Sequence, residues 1–355
     1  MVLAEPCNRF ASSFYFLEIF MKKSLIALAV VAVSGAATAQ SSVTLYGIAD
    51  ASFGVVKNGS VTQTKVDSGL LNTSRFGFKG TEDLGGGLKA SFLLEQGFNV
   101  DNGSSLEDSQ DGQTKLNQMF SRNAYVGLSG GFGEVRLGKV WSAFDEMKGA
   151  SNAAWDSGLS PNSGVFYGGA IGGYTYNPRN SVIYFTPNVS GFSGAASYSM
   201  GENKTATVNA GRVAALNVKY AGGPLYVGLG HQTERVNGSV PTKKFTMLNA
   251  TYDFGMATLQ ASVGRQSQND LKTRDWTLGA TVPVSGLLSV SGGVAGSTDN
   301  VAAGDIKRKG VSLAAQYALS KRTFLYTGYH ATRTTYPVLP RLNTSLYAVG
   351  VSHLF

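Results

Sequence analysis

Long segments in which apolar and polar residues alternate constrain this chain more than any other feature. The clearest are 225–230, 257–264 and 311–319, where apolar residues occupy one parity and small or polar residues mostly occupy the other. Side chains of a strand point alternately to opposite faces, so each segment predicts a strand with one apolar face. The strand-like segments to which these stretches belong run for about ten to thirteen residues. A tilted strand needs ~9–11 residues to cross a bilayer, whereas strands of soluble sheets average ~5–6. The length therefore favours strands that cross a membrane.

Two kinds of connection separate these segments. Seven are short and rich in Gly, Pro, Asn, Asp or Ser, as tight turns require, and they lie at 82–87, 129–131, 187–191, 221–224, 253–255, 283–286 and 319–322. Eight are longer, and they lie at 57–72, 100–118, 142–178, 202–209, 237–242, 267–273, 299–306 and 335–343. Seven turned pairs with a lone strand at each end predict sixteen strands. An even strand number with short turns on one side and long loops on the other predicts an all-β antiparallel transmembrane barrel.

The N-terminal region carries the pattern of a secretory signal. Lys22 and Lys23 follow Met21, an apolar run occupies 25–33, and the small residues Ala-Thr-Ala stand at 37–39. This pattern predicts a signal peptide at 21–39, cleaved to leave a mature chain of 40–355. Residues 1–20 are interpreted as an over-extended translation start, and a genuine leader extension is the alternative.

The last strand-like segment, 349–355, alternates and stops on the aromatic residue Phe355. An open sheet edge cannot be tolerated in lipid, so a barrel must pair its last strand with its first. We therefore expect this segment to close the barrel and Phe355 to act as an assembly signal. Export together with such a terminal strand predicts a β-barrel in the outer membrane of a Gram-negative bacterium.

Cysteine and histidine content argues against several kinds of site. The only cysteine, Cys7, lies in the segment expected to be absent from the mature chain, and the histidines His231, His330 and His353 are scattered. The mature chain can therefore form no disulfide and no thiolate metal site, and we predict neither metal nor cofactor. Removing 1–39 lowers the net charge from +8 to +7. The basic residues are dispersed and accompany no nucleic-acid-binding motif, so no nucleic-acid partner is expected.

Two other classes of protein remain as alternatives. An outer-membrane enzyme would need a serine or acid placed beside a histidine. Ser352 and His353 are adjacent in the sequence, but adjacent residues of a strand face opposite sides and cannot act together. We therefore predict that the protein is not an enzyme. A soluble secreted β-sandwich adhesin would also show alternation, although its strands would be shorter.

Several sequence blocks resemble the general trimeric porins of Gram-negative bacteria, in particular the β-proteobacterial type. They occur in order along the mature chain, at 42–50, 74–90, 120–128, 180–187, 319–323 and the terminal Phe355. The resemblance implies a homotrimer of sixteen-stranded barrels in outer-membrane lipid, each a water-filled pore for passive diffusion of small hydrophilic solutes and ions. It also implies that the third extracellular loop, here 142–178, folds inward and narrows the pore.

The resemblance further implies a constriction in which basic wall residues face acidic loop residues. The wall arginines fall on Arg75, Arg122 and Arg179, and further basic candidates are Lys79, Arg136 and Lys139. Arg75 shares its parity with the small and polar residues of its strand, which independently predicts an inward side chain; the parity of Arg122 does not.

The loop candidates are Asp145, Glu146 and Asp156. The loop lacks the Pro-Glu-Phe-Gly type of segment usual in the family, so the family's acidic positions do not transfer directly. The net positive charge predicts a weak to moderate preference for anions. A substrate-specific outer-membrane channel is the alternative to a general one.

Overall fold

The computed structural model describes residues 42–106, 119–237 and 241–355. The predicted signal peptide and the segment 1–20 lie outside the described residues. Strand segments dominate the described chain, and their bounds are β1 (Ser42–Asn58), β2 (Val61–Ser68), β3 (Arg75–Gly85), β4 (Leu88–Gly97), β5 (Asn123–Gly130), β6 (Gly133–Lys139), β7 (Ser181–Phe185), β8 (Phe192–Met200), β9 (Ala210–Gly222), β10 (Leu225–Asn237), β11 (Lys243–Asp253), β12 (Thr258–Gln268), β13 (Leu271–Pro283), β14 (Leu288–Val301), β15 (Gly304–Ala318), β16 (Thr323–Thr335) and β17 (Leu342–Leu354).

The described strands form one closed antiparallel sheet. Except for β2 and β3, each pairs with its neighbour in sequence, and β1 pairs with β17 from Ile48 opposite Leu354 to Asn58 opposite Thr344. The first half of β1 pairs with β3 and the second half with β2, so β2 and β3 share one position. Seventeen described segments therefore occupy sixteen positions, and the predicted sixteen-stranded barrel is confirmed.

The barrel is apolar outside and polar inside, as the alternation predicts. On β12 and β15, Val263 is 55% and Leu313 61% exposed on the outer face. Their neighbours Ser262 and Ser312 face the lumen and are buried. An apolar outer surface with no hydrocarbon-exposed sheet edge is what a bilayer requires of strands.

All seven short turns join the predicted strand pairs, but three of the longer connections are much shorter than predicted. Two-residue turns at 59–60, 269–270 and 302–303 separate strands that continue through most of 57–72, 267–273 and 299–306. The sequence prediction was wrong there because polar strand residues were read as loop. These residues still pair, and Gly59 and Asn269 adopt the positive φ values of 61° and 51° that two of the turns require.

The long connection between β6 and β7 contains short helical segments. Helix α1 (Asp145–Lys148) is followed by the 3-10 turns Gly149–Ser151 and Ala154–Asp156. Among the described residues, no helix has both the length and the apolar character needed to cross a membrane. The main apolar core lies between this connection and the inner wall of the barrel, rather than between layers of sheet.

Candidate functional site

The connection 140–180 is held inside the barrel by an apolar patch on the lumen wall. Phe144 and Met147 of the loop are fully buried against Phe245 and Met247 of β11. Phe144 and Phe245 lie 6.4 Å apart between ring centroids. Large apolar side chains are otherwise unusual on the lumen face of such a barrel, and their burial stabilises the loop in the pore.

Glycines on the lumen face leave the room that the loop occupies. A methyl group on Gly230 would lie 3.0 Å from Met147, and one on Gly328 would lie 2.7 Å from Leu159. A methyl group on Gly279 would collide with Ala153. Strands β10, β13 and β16 therefore accept side chains of the loop closely because these inward positions carry no side chain of their own.

The far end of the loop is fixed by a buried ion pair on β14 and β15. Arg308 Nη2 lies 2.7 Å from Asp299 Oδ1, and the two side chains are 5% and 1% exposed. Arg308 Nε donates to the carbonyl of Val165 at 3.0 Å, and Asp299 Oδ2 accepts from the backbone N–H of Ala170 at 3.0 Å. The ion pair thus provides hydrogen-bond partners for its own buried polar atoms and for two backbone groups of the loop.

The returning part of the loop is fixed by two further polar contacts. Lys139 Nζ donates to the carbonyl of Asn177 at 2.9 Å. Glu234 of β10 accepts from the backbone N–H of Thr175 at 2.8 Å. These contacts hold the returning end of the loop against the wall.

Arg75 and Arg122 meet on the wall around one carboxylate that the sequence did not single out. Arg122 Nε donates to Glu95 Oε1 at 2.8 Å, and Arg75 Nε lies 3.7 Å from Glu95 Oε2. Tyr46 also donates to Glu95, at 2.7 Å. The guanidinium of Arg122 stacks 5.2 Å from the centroid of Trp141, at the start of the loop. Arg122 precedes β5, where no ladder fixes its direction, and this is why strand parity did not predict its orientation.

The loop faces these arginines with a strained turn. Ala154, Trp155 and Asp156 have φ values of 53°, 59° and 50°, a left-handed conformation that costs non-glycine residues on the order of 1 kcal/mol or more each. Asp156 accepts from the Asn152 amide at 2.5 Å and lies 3.7 Å from Lys148 Nζ. The turn sets both Trp155 and Asp156 toward the lumen.

Wall and loop enclose an open cavity of about 730 Å³. Arg75 and Arg122 line it from the wall, while Asp145, Lys148 and Asp156 line it from the loop. Opposite charges thus face each other across the water-filled space, an arrangement that can orient polar solutes and discriminate between ions.

Burial weakens the acidity of the carboxyl groups on helix α1. It raises the pKa of Asp145, although the Lys148 ammonium and a 2.5 Å hydrogen bond from Tyr174 oppose the shift. Burial also raises the pKa of Glu146, with Arg136 opposing the shift and Asp145 reinforcing it. The two carboxyl groups therefore take up protons at a higher pH than exposed carboxyl groups do.

Four of the predicted basic residues lie apart from this cavity. Lys79 is exposed and lies 5.0 Å from the Tyr46 ring centroid. Arg136 pairs with Glu134 at 2.8 Å on β6 and stacks between two aromatic rings. Lys139 fixes the loop, as described above. Arg179 lines a separate cleft beside β8 and β9 and is not brought together with Arg75 and Arg122.

Sequence reasoning missed four residues of the constriction: Glu95, Trp141, Lys148 and Trp155. Glu95 was the most predictable of the four, because it is the only carboxylate in β4 and lies on the inward face of that strand, opposite Gly77. No pattern marked the others, because their orientation depends on the path of the loop.

A closed sixteen-position barrel with an apolar exterior and a polar lumen narrowed by an inward loop defines a diffusion channel of the outer membrane. A model of the Gram-negative porin family matches residues 25–335, and the chain belongs to that family.

Individual relatives support the same assignment. Outer membrane porin protein 32 of Delftia acidovorans is 37% identical over 320 residues, covering 86% of this chain and 88% of that protein. Major outer membrane protein P.IB of Neisseria lactamica is 32% identical over 326 residues, covering 85% of this chain and 91% of that protein. Among solved structures, the anion-selective porin from Comamonas acidovorans superposes with a TM-score of 0.75 at 28% identity, covering 89% of this chain and all of that chain. The protein is thus an outer-membrane porin, a passive channel from a family of channels rather than enzymes.

Proposed function

We propose that this porin prefers anions weakly over cations and that Arg75 and Arg122 are the fixed charges responsible. The observation that carries the proposal is their position: both guanidinium groups line the same open cavity as Asp156 of the loop. An ion passing through this cavity moves within a few ångströms of both groups. A unit charge about 4 Å away contributes about 1 kcal/mol even in water.

The expected preference is weak because acidic groups offset much of this charge. Glu95 contacts both arginines, and Asp156 lies beside Lys148. Burial raises the pKa of Asp145, so this group loses its negative charge at a higher pH than an ordinary carboxyl does as the pH falls. The relative from Comamonas acidovorans, described as anion-selective, supports the same sign.

We further propose that the channel is general, admitting small hydrophilic solutes, and that it assembles as a homotrimer. The support is family membership, together with an outer surface whose apolar side chains suit either lipid or another copy. In gels of unheated detergent-solubilised protein, the trimer should migrate as one species that heating converts to a monomer. Migration as a monomer without heating would contradict the assembly.

The test of selectivity is the zero-current potential of the purified porin in a planar bilayer with a potassium chloride gradient. The proposed preference predicts a potential with the sign of excess chloride permeation, which decreases as salt screens the fixed charges. A potential with the sign of potassium preference would contradict it.

A further inference from the structure

Aromatic side chains line the constriction cavity, although a filter for ions needs only fixed charges. Trp141, Trp155 and Tyr176 border the same cavity as Arg75 and Arg122, and all three are only partly buried. Water-filled pores that select by charge use charged side chains and polar groups. The rings therefore give this cavity a second kind of surface, which can contact an apolar part of a solute.

Two of these rings already have stacking partners. Trp141 and Tyr176 lie 5.4 Å apart between ring centroids, and the guanidinium of Arg122 lies 5.2 Å from the centroid of Trp141. Trp155 differs from them: within the described part of the chain, no aromatic ring and no cation is stacked on it. A tryptophan that borders a cavity without such a partner can stack with the ring of a solute.

The backbone holds Trp155 in place at this position. Its φ of 59° lies in the left-handed region, which is unfavourable for a residue with a Cβ and persists only where surrounding contacts enforce it. The N–H of Gly158 donates to the carbonyl of Leu70 at 2.9 Å, and part of the tryptophan packs against the apolar cluster that includes Leu71 and Leu159. The ring is thus preorganised before a solute arrives.

The charges around the cavity are separated between the wall and the loop. On the wall, Arg75 and Arg122 share the carboxylate of Glu95 and leave an excess of positive charge. The loop contributes two carboxyl groups and one ammonium group, and the side chain of Asp156 is 42% exposed although Lys148 lies 3.7 Å away. A solute with a carboxylate and an ammonium group matches both sides, because each charge then faces its opposite.

We propose that this cavity binds aromatic amino acids as they pass through the pore; the proposal rests on the function proposed above, the passage of small hydrophilic solutes. The α-carboxylate lies against Arg75 and Arg122, the α-ammonium group against Asp156, and the side-chain ring against Trp155. The volume of about 730 Å³ is within the ~300–1,000 Å³ that is usual for small-molecule sites. A channel must also release its solute, so binding is weak and exchange is fast.

Simpler solutes satisfy only part of the site. An aliphatic amino acid leaves the ring of Trp155 without a partner. An aromatic carboxylate brings its negative charge near Asp156 and has no ammonium group to offset it, while an aromatic amine leaves Arg75 and Arg122 without an anion. Only a solute that combines the ring with both charges contacts all three groups at once.

The test measures how L-phenylalanine blocks the potassium chloride current of the purified porin in a planar bilayer. Each comparison solute lacks one feature: β-cyclohexyl-L-alanine lacks the aromatic face, 3-phenylpropionate the ammonium group and phenethylamine the carboxylate. Half-blocking concentrations are extrapolated to zero voltage, because the last two solutes carry a net charge. Phenylalanine should block saturably, at a concentration at least about fivefold lower than each comparison solute. Equal or stronger blockage by any one of them would overturn the proposal.

Variants separate the contacts. Trp155→Leu should raise the half-blocking concentration of phenylalanine by about fivefold and leave that of cyclohexylalanine unchanged. The control Trp276→Leu, on the outer face of β13, should change neither. Asp156→Asn should raise the value for phenylalanine but not the value for 3-phenylpropionate. An unchanged value for phenylalanine in a Trp155→Leu variant with wild-type conductance would overturn the assignment. The comparison of solutes on the wild-type protein stands even if a variant displaces the loop.

Failure of this proposal and failure of the proposed function give different results. Phenylalanine has no net charge, so its blockage does not depend on whether the pore prefers chloride or potassium. Exclusion of small uncharged sugars in liposome swelling, or a zero-current potential with the sign of potassium preference, would contradict the proposed function. Saturable blockage by phenylalanine would still support the binding site in that case. An open, conducting pore that phenylalanine does not block saturably would overturn the binding site alone.

Discussion

Arg122 donates through Nε to Oε1 of Glu95 at 2.8 Å, although 27 positions separate the two residues in the sequence. The contact places a carboxylate between Arg122 and Arg75 on the wall of the constriction. Charge density on this part of the lumen wall is therefore set by a group of three residues, and the two arginines do not act as independent cations.

Replacing Glu95 with Gln should increase the preference for anions. The substitution removes one negative charge and leaves both guanidinium groups partly exposed to the lumen, at 24% and 18%. Loss of about 1 kcal/mol of opposing potential shifts the permeability ratio by roughly fivefold. Zero-current potentials measure this shift. Glu82→Gln, on an exposed residue near the short turn 82–87, is the control and should leave the ratio unchanged.

Selectivity should also depend on pH. Because burial raises the pKa of Asp145 and Glu146, these groups take up protons at a higher pH than ordinary carboxyls do. Anion preference should therefore rise as the pH falls toward their pKa values. The variant Asp145→Asn with Glu146→Gln should show the low-pH preference at neutral pH and a flatter profile. A wild-type profile that changes only where ordinary carboxyls titrate would contradict this interpretation.

The raised pKa values of Asp145 and Glu146 also determine how the stability of the folded loop changes with pH. A carboxyl whose pKa is higher in the folded state binds its proton more tightly there, so folding is favoured as the pH falls through the folded pKa and disfavoured above it. Packing of the loop should therefore tighten, not loosen, under mild acid. Protease resistance of the loop in detergent-solubilised porin measures this effect.

The substitution Gly279→Leu should displace the loop. A leucine there would occupy the space of Ala153, and overpacking of this kind typically costs about 1–3 kcal/mol. We expect higher single-channel conductance, because the loop leaves part of the lumen. Ala280→Leu, one residue along β13 and on the outer face, is the matched control and should keep the wild-type conductance.

Breaking the buried pair of Asp299 and Arg308 should free the far end of the loop. Asp299→Ala leaves an unpaired guanidinium at a buried site, which typically costs about 3–5 kcal/mol. The expected results are a lower unfolding temperature and greater noise in the open-channel current. The double variant Asp299→Leu with Arg308→Met should recover most of the temperature but not the quiet current, because Val165 and Ala170 would still lack their partners.

Much of the barrel was predictable because membrane strands obey a strong local rule. Residues such as Val263 and Ser262 must face lipid and lumen respectively, and this requirement produces the alternation of apolar and polar residues in the sequence. The short turns were equally predictable from their Gly, Pro and Asn residues. Polar hairpins such as 267–273 were not, since beyond the bilayer a strand and a loop have similar composition.

The constriction was only partly predictable. Arg75 lies in a regular strand, and its parity gave its direction. Arg122 and Trp155 lie outside strands, and their directions depend on tertiary contacts and on the left-handed turn 154–156. Apolar residues on the lumen face, such as Phe245 and Met247, break the alternation because they receive the loop. Such exceptions locate the loop's docking surface, but only once the barrel is known.

The most direct test of the account compares the wild-type porin with the variant Arg75→Ser, Arg122→Ser in a potassium chloride gradient. The account predicts chloride preference in the wild type and a shift of the zero-current potential toward potassium in the variant, because Glu95 then remains without its cationic partners. The matched control Lys321→Ser, Arg322→Ser changes the same number of charges at a short turn away from the constriction and should keep the wild-type potential. Potassium preference in the wild type, or the same potential in wild type and Arg75→Ser, Arg122→Ser, would contradict the assignment of these arginines.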